Sequence, residues 1–332
     1  MSKFTQAAST SHSLSLTAME EASRFGQRSA DIEHMLLALV VSEQVAGQVL
    51  RSTGITLEAA REAVSNQHSV QLDILGISAR HPSQDRIVFH ETGGYEWTDR
   101  ALKILKSASE GQKRGDATQV LRELVAEPSG MIEQILRRLG TTPDLIIARL
   151  DEVQQYQADT PKSTIHPSSR SGCNAAFVPA PIWKVWELLS DPLRMPEWEP
   201  IVGEVTLEEA QKEMQIGDRW ATSARTRRSD GKPFRIKPAF QSQNIELVAF
   251  AKEALIEWKF AYPDSAQAGT KRVRIELEPA AGGTQLQIFL QWDRNPNHVA
   301  RSIRGFFIRP LVHFGLWMQL SQLSDGISRA FR

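Results

Sequence analysis

"EASRFGQRSADIEHMLLALV" occupies residues 21–40, and "KSASEGQKRGDATQVLRELV" occupies residues 106–125. Laid over one another 85 residues apart, they set Gly26 and Gln27 on Gly111 and Gln112, and Leu36 and Leu39 on Leu121 and Leu124. After one inserted residue, "VLRSTGITLEAA" (49–60) falls on "ILRRLGTTPDLI" (135–146). Self-similarity at a fixed spacing marks a repeated structural unit. Each copy places apolar residues at three- and four-residue intervals, the period of a half-buried helix. Gly54 and Gly140 follow apolar runs, where a helix commonly ends in a left-handed residue. Two matched units predict an all-α, pseudo-twofold domain over residues 1–153. The stretch between them, roughly 66–97, carries "RHPSQD" and "ETGGYEW" and reads as loop.

Near residue 153 the pattern changes. "QQYQADTPKSTIHPSSRSG" is polar and rich in Ser, Thr and Pro, so residues 154–167 are expected to be a linker. Period-two strands follow in "LIEWKF" (255–260), "KRVRIEL" (271–277) and "QLQIFLQW" (285–292), the last two separated by the turn "EPAAGGTQ". A helix, "PIWKVWELLSD" (181–191), precedes these strands, and a long one over about 297–330 follows them. The prediction for 168–332 is an α+β domain, an antiparallel sheet wrapped on a long C-terminal helix with space for a cavity. The chain is therefore expected to be multidomain.

Composition excludes several classes of function. Lys plus Arg and Asp plus Glu number 39 each, so no overall field points to nucleic acid or an anionic membrane. Residues 1–152 hold 16 basic against 20 acidic groups and the remainder 23 against 19, too mild an asymmetry to name a partner. One cysteine, Cys173, rules out an intramolecular disulfide and a Cys-based zinc cluster, and it reads as a small core residue without a sign of activation. No metal or cofactor site is expected. The N-terminus lacks the apolar core of a signal peptide, and "GFFIRPLVHFGLWMQL" (305–320) is interrupted by Arg309, Pro310 and His313 and is short for a membrane span. A cytoplasmic location with no membrane partner is the expectation.

Residues 4–153 resemble the Clp N-terminal domain, the repeat module at the front of ClpA- and ClpC-type unfoldases. The resemblance is carried by Phe4-Thr5, "EEA" (20–22), "IEHMLLALV" (32–40) and "VLRSTGITLEAAREAV" (49–64). It implies a surface for adaptors, Clp protease or unfoldase components, or marked substrate peptides, with Phe4, Thr5, Glu33, His34 and Thr118 as candidate contacts. In ClpC-type members an acid at the head of this helix in each repeat helps bind phosphoarginine. A carboxylate suits that task because it accepts a forked pair of hydrogen bonds from guanidinium. Glu33 matches the first such position, but Thr118 stands at the second and Gln119 replaces the histidine, so recognition is expected to be weakened. Read without the resemblance, Glu33 is an acid favoured in a first helical turn by the unsatisfied amides, with Asp31 as the cap and His34 a satisfied side chain at the helix start. The phosphate-cradling loop G-x-x-x-x-G-K-[ST] of the unfoldase motor occurs nowhere in the sequence, so a recognition domain without its motor is expected.

"VPAPIWKVWELLSDPLRMPEWEP" (178–200), with Asp191, Pro192 and Trp198, resembles the opening of the SRPBCC superfamily, which includes polyketide cyclase/dehydrase-like proteins and START-type lipid carriers. That resemblance implies a helix-grip fold over roughly 165–332. It leaves function open, because members range from carriers to cyclases and co-chaperones. Alternation puts Ile256, Trp258 and Phe260 on one face, and likewise Val273, Ile275 and Leu277, and Leu286, Ile288, Leu290 and Trp292. Ile303, Phe307, Phe314 and Trp317 fall at helical spacing on the long helix, which Pro310 is expected to kink. The candidate lining of a ligand cavity is Trp198, Ile256, Trp258, Ile275, Ile288, Trp292, Phe307, His313, Phe314 and Trp317. His313 reads either as a polar anchor or as a structural histidine, and Trp198 as a cavity mouth or a lock between helix and sheet. Glu197 and Glu199 flank Trp198, at a spacing that does not aim them together. Asp191 reads as a cap of the turn that follows it. The basic run "RTRRSDGK" (225–232) reads as a solvated hairpin tip.

Two classes of function follow. The first is a non-catalytic adaptor or sensor, with a Clp-type recognition domain joined to a domain for a small apolar ligand; a decoy for Clp-targeting peptides and a co-chaperone are variants of it. The second is an enzyme, a cyclase or dehydratase acting on a polyketide-like or lipid-like substrate. It needs a general acid or base at the ligand, and only His313, His298 and loop carboxylates offer themselves. No catalytic residue is assigned.

Overall fold

The computed structural model describes residues 3–74, 76, 87, 96–111, 113–159, 171–206, 214–227, 233, 236–265, 269–293 and 305–332, without the side chains of 3–7, 9, 156–159 and 305–313. The chain forms two compact units, Met1–Ser163 and Thr164–Arg332.

The first unit is helical: α1 (Lys3–Arg24), α2 (Ile32–Val40), α3 (Val45–Ser52), α4 (Leu57–Ile74), α5 (Asp99–Ser109), α6 (Ala117–Val125), α7 (Met131–Arg138) and α8 (Pro143–Asp159). The helix starts reproduce the sequence repeat, α6 following α2 by 85 residues and α7 and α8 following α3 and α4 by 86. Gly26 and Gly111, and Gly54 and Gly140, all have positive φ, so both repeats end their helices in a conformation that L side chains resist. The segment expected to be loop from residue 66 is helical as far as Ile74, because "NQHSVQLDI" extends the period of α4.

α2 is buried along its whole length, its polar residues Glu33 and His34 included, which places it at the centre of the unit. Its counterpart α6 carries Gln119, Arg122 and Glu123 and buries one face only. Glu21 of the "EEA" motif is structural, since its carboxylate is fully buried and takes a forked pair of hydrogen bonds from Arg61 of α4 at 2.7 and 2.8 Å. A two-residue parallel ladder, β1 (Ser29–Ala30) with β2 (Glu96–Trp97), ties the head of α2 to the start of α5.

The second unit is a seven-stranded antiparallel sheet in the order β3-β9-β8-β7-β6-β5-β4. Its strands are β3 (Ser171–Val178), β4 (Val202–Thr206), β5 (Arg219–Ala224), β6 (Ser242–Ala251), β7 (Leu255–Ala261), β8 (Thr270–Ala280) and β9 (Gly283–Asp293). Between the edge strands β3 and β4 lie α9 (Ile182–Ser190), a 3-10 turn at Pro192–Arg194 and α10 (Met195–Trp198). The long α11 (Gly305–Arg329) packs on β3, β9 and α10. This is a helix-grip arrangement, and none of the described helices is long and apolar enough to cross a membrane.

Alternation along β6–β9 turns Ile245, Leu247, Ile256, Trp258, Phe260, Val273, Ile275, Leu277, Leu286, Ile288 and Leu290 to the interior. The stripe of α11 that meets them is Leu316, Leu320, Leu323 and Ile327. Each such side chain contributes roughly 1.5–3 kcal/mol when fully buried. Cys173, expected in the core, is exposed, because β3 pairs only with β9 and Cys173 has the parity of the uncovered outer face.

Candidate functional site

The head of α2 is built from its cap outward. Asp31 is the N-cap, its Oδ1 accepting from the Ile32 amide at 2.8 Å, while His34 Nδ1 accepts the Asp31 amide at 3.1 Å to complete a reciprocal capping box. The β1–β2 ladder delivers Thr98 and Arg100 to the same carboxylate. Thr98 Oγ1 donates to Asp31 Oδ1 at 2.6 Å, and Arg100 forks onto Asp31 through Nε (3.1 Å) and Nη2 (2.5 Å). Burial alone would raise the Asp31 pKa, but the hydrogen bonds from Arg100, Thr98 and the Ile32 amide outweigh it and hold the group below the usual carboxylate range.

Glu33, in the first turn of α2, is buried. Its Oε1 lies 3.2 Å from His68 Nε2 of α4 and 3.6 Å from His34 Nδ1, and its Oε2 lies 3.9 Å from Arg100 Nη2 without a hydrogen bond. A cation from the second repeat therefore already faces the carboxylate. His34 is wholly buried, and its Nε2 has no partner. Its Nδ1 acts as an acceptor, so the ring is neutral with the proton on Nε2. Burial pushes its pKa down, against the pull of the Glu33 carboxylate. Thr118 is buried at the head of α6, where Asp116 caps by accepting the Gln119 amide at 3.0 Å. The Ala117 amide donates to Gln44 Oε1 at 3.1 Å, and Gln44 Nε2 donates to Thr10 at 2.9 Å. Phe4 and Thr5 lie on α1, with side chains outside the described residues.

The state of His34 has a consequence for stability. Its folded pKa lies below the ordinary 6.5, so below that value the unfolded chain binds a proton that the folded chain resists. Stability is complete above pH 6.5 and falls as the pH drops toward the folded pKa. Replacing His34 with Asn keeps an acceptor for the Asp31 amide and removes the titration. The thermal midpoint of the helical unit, followed by far-ultraviolet circular dichroism, is expected to fall less between pH 7 and 5 in His34→Asn than in the parent. Equal slopes would show that His34 does not carry the effect.

The interior of the second unit is the other candidate. Ile256, Trp258, Ile275 and Ile288 come together on the inner face with no accessible surface, so no water-sized void touches them. Trp258 Nε1 donates to Leu189 O of α9 at 3.1 Å and locks that helix to the sheet. Trp198 is also buried, its Nε1 without a partner, and its carbonyl sits where a Cβ on Gly326 of α11 would clash at 2.5 Å. Phe314, expected on the wall, is 56% exposed. The stripe 316–320–323–327 faces the sheet, and Phe314 lies nearly opposite it around the helix. Trp317 flanks the stripe, half-buried, its ring 5.7 Å from that of Phe314. The side chains of Phe307 and His313, and all of His298, lie outside the described residues.

One end of this interior is polar, which the alternation concealed because lysine and glutamine read as surface residues. Lys271 shares the inner parity of Val273 and Ile275. Its Nζ meets Glu199 Oε2 of the α10–β4 connection at 2.9 Å and lies 4.1 Å from the centre of the Phe260 ring. Glu197, by contrast, is on the surface and pairs with Arg194 at 2.8 Å. Tyr262 stacks on Trp292 at 6.1 Å and 9°, and the Trp292 indole donates to Gln319 Oε1 of α11 at 3.1 Å. Burial and the Glu199 carboxylate push the Tyr262 phenol well above its ordinary range, so it stays protonated. Gln243 of β6, 1% exposed, has both amide atoms unpaired, at a cost of about 1–3 kcal/mol for each group left unsatisfied. Asp191 caps the turn after α9, accepting the Leu193 amide at 2.9 Å. Of the basic run, Arg225 donates to Pro196 O and lines an open groove with Gly203, Glu204, Ser223 and Arg227; residues 228–232 lie outside the described residues.

Residues 3–118 match the model of the Clp repeat (R) N-terminal domain, and residues 174–315 match that of polyketide cyclase / dehydrase and lipid transport. No curated protein matches the chain. Among solved structures, a START superfamily protein from Mycobacterium smegmatis is similar at 13% identity, with 49% of this chain and 97% of that one covered and a TM-score of 0.35. Protein CV1439 from Chromobacterium violaceum is similar at 16% identity, covering 48% and 99%, TM-score 0.32. Protein NE0264 from Nitrosomonas europaea is similar at 15% identity, covering 52% and 99%, TM-score 0.32.

Proposed function

We propose that this chain, which joins a Clp repeat N-terminal domain to a polyketide cyclase/dehydrase-type helix-grip domain, is a non-catalytic adaptor or sensor. The helical unit recognises a peptide, degron or partner of a Clp unfoldase, and the second unit takes up a small apolar ligand. The observation that supports this best is the match of residues 174–315 to the polyketide cyclase / dehydrase and lipid transport model, on an interior that is apolar and closely packed along four strands and ends in a small polar cluster. That pattern suits a ligand with an apolar body and a polar end. The cluster suits binding better than acid–base chemistry, because Glu199 is held by Lys271 and the Tyr262 phenol keeps its proton.

Native mass spectrometry of the full-length protein tests the reading. A stoichiometric apolar adduct, released on denaturation, is the expected result. A bare protein that takes up neither fatty acids nor polycyclic aromatic probes would sink it. In the helical unit, a guanidinium arriving at Glu33 meets a carboxylate already placed between His68 and Arg100. Free phosphoarginine is therefore expected to bind the full-length chain more weakly than about 1 mM by calorimetry. Micromolar binding lost in Glu33→Gln would contradict this and make Glu33 a working phosphoarginine site.

A further inference from the structure

We infer that the carboxamide of Gln243 is the hydrogen-bonding anchor for the ligand of the second unit, and that this ligand is planar, uncharged and carries a donor beside an acceptor on one edge. The inference rests on reading that unit as a ligand-binding domain. It adds the residue that orients the ligand and the chemistry it selects.

A glutamine amide offers two donors and an acceptor with two lone pairs. Gln243 uses none of them, although its backbone carbonyl accepts from Thr222 Oγ1 at 3.3 Å. On the inner face Thr222 stands directly opposite and gives its hydroxyl hydrogen to the Gln243 backbone carbonyl, not to the amide. Trp220 and Ile245 are apolar, and the pairing of Asn244 with Ala261 carries Gln243 to the place across from Tyr262. Buried amides are almost always paired, so one left wholly unpaired on an inner face points to a partner supplied from outside the chain.

The surroundings define that partner. Lys271 and Glu199 neutralise each other at 2.9 Å, so this end of the interior carries no net charge to hold an ion. Phe240 packs edge-on against Tyr262 at 5.2 Å, and Tyr262 stacks on Trp292. Aromatic walls favour flat rings, and an amide meets a lactam-like edge through two parallel hydrogen bonds. The deep positions Ile256, Trp258, Ile275 and Ile288 have no accessible surface, whereas Tyr262 and Trp220 retain a little. Gln243 itself is 1% exposed, so a ligand reaches the amide only where these side chains part.

A matched pair of probes tests this on the full-length protein. 2-Quinolone carries N–H beside C=O on a flat bicycle, and naphthalene has a similar shape with no polar edge. Binding is read by quenching of tryptophan fluorescence. 2-Quinolone is expected to bind at least about tenfold more tightly than naphthalene, and Gln243→Leu to remove that advantage while leaving naphthalene within about twofold. Gln243→Leu replaces an unpaired amide with an apolar group of similar volume and is expected to fold; Gln243→Asn, which retracts the amide, serves as the second variant and is expected to lose the advantage too. Equal binding of the two probes, or quinolone binding unchanged in Gln243→Leu, would overturn the anchor while leaving the ligand-binding reading in place, and a buried water on Gln243 would then account for the amide. Failure of the parent protein to bind either probe would overturn the anchor, and only with fatty acids also refused and a bare native mass spectrum would the ligand-binding reading fall with it.

Discussion

Lys271→Met is expected to destabilise the second unit by about 3–5 kcal/mol, and Glu199→Leu by a similar amount, while the double variant loses far less than the two losses combined. Both side chains are almost fully buried, at 4% and 2% exposure. Removing Lys271 strands a carboxylate whose remaining support is the Ile201 amide at a long 3.5 Å. Removing Glu199 strands an ammonium over the Phe260 ring, and an aromatic face supplies only a fraction of what a carboxylate does. Replacing both with apolar groups of similar size removes the attraction and the desolvation penalty together. Seven of the eight tryptophans lie after residue 180, so denaturant unfolding followed by fluorescence reports chiefly on this unit. A single-variant loss below about 1 kcal/mol would place the pair among solvated surface bridges, which contribute that little.

The same pair marks how far the sequence can be read. The alternation of "KRVRIEL" puts Val273, Ile275 and Leu277 inside, and by the same parity it puts Lys271 inside. Composition argues against that placement, since a lysine is rarely buried without a partner, and its partner, Glu199, lies 72 residues away in sequence. Local rules see the strand but not the charge that crosses the fold to meet it. The repeat was legible for the opposite reason: helix period, caps and C-terminal glycines are all local signals, and they recur in register in both halves of the helical unit. Arg100 escaped notice because its role depends on the short β1–β2 ladder, two residues on each strand, which leaves no periodicity to detect. On α11 the apolar residues surround the helix, so several stripes were possible. Contact with the sheet selected 316–320–323–327, and Phe314 was left outside.

The repeat also departs from symmetry at one point, and that departure carries the second large prediction. Gly47→Ala is expected to destabilise the helical unit by roughly 3 kcal/mol or more. Helix propensity argues the reverse, since alanine in a helix interior is favoured over glycine by about 1 kcal/mol. Packing outweighs it here. A Cβ at residue 47 would stand 2.0 Å from Ser42 O and 2.7 Å from Leu39 O, both backbone atoms at the C-terminal end of α2 that no rotamer change can move. It would also crowd Arg51 Nη1 at 2.8 Å, the group that donates to Val40 O (2.7 Å) and Ser42 O (2.8 Å) and satisfies the end of α2. Burial pushes that guanidinium's pKa down to about 10, so losing its carbonyl partners would leave a poorly solvated cation. In the second repeat Glu133 stands at the position matching Gly47, and Arg137, which matches Arg51, turns outward and pairs with Glu133 at 2.6 Å. Glu133→Ala is accordingly expected to change stability by less than about 0.5 kcal/mol. The two variants, compared by thermal unfolding under far-ultraviolet circular dichroism, separate a close backbone approach from intrinsic propensity. A Gly47→Ala protein as stable as its parent would mean that α3 can withdraw from α2 at no cost and that Arg51 does not depend on the gap.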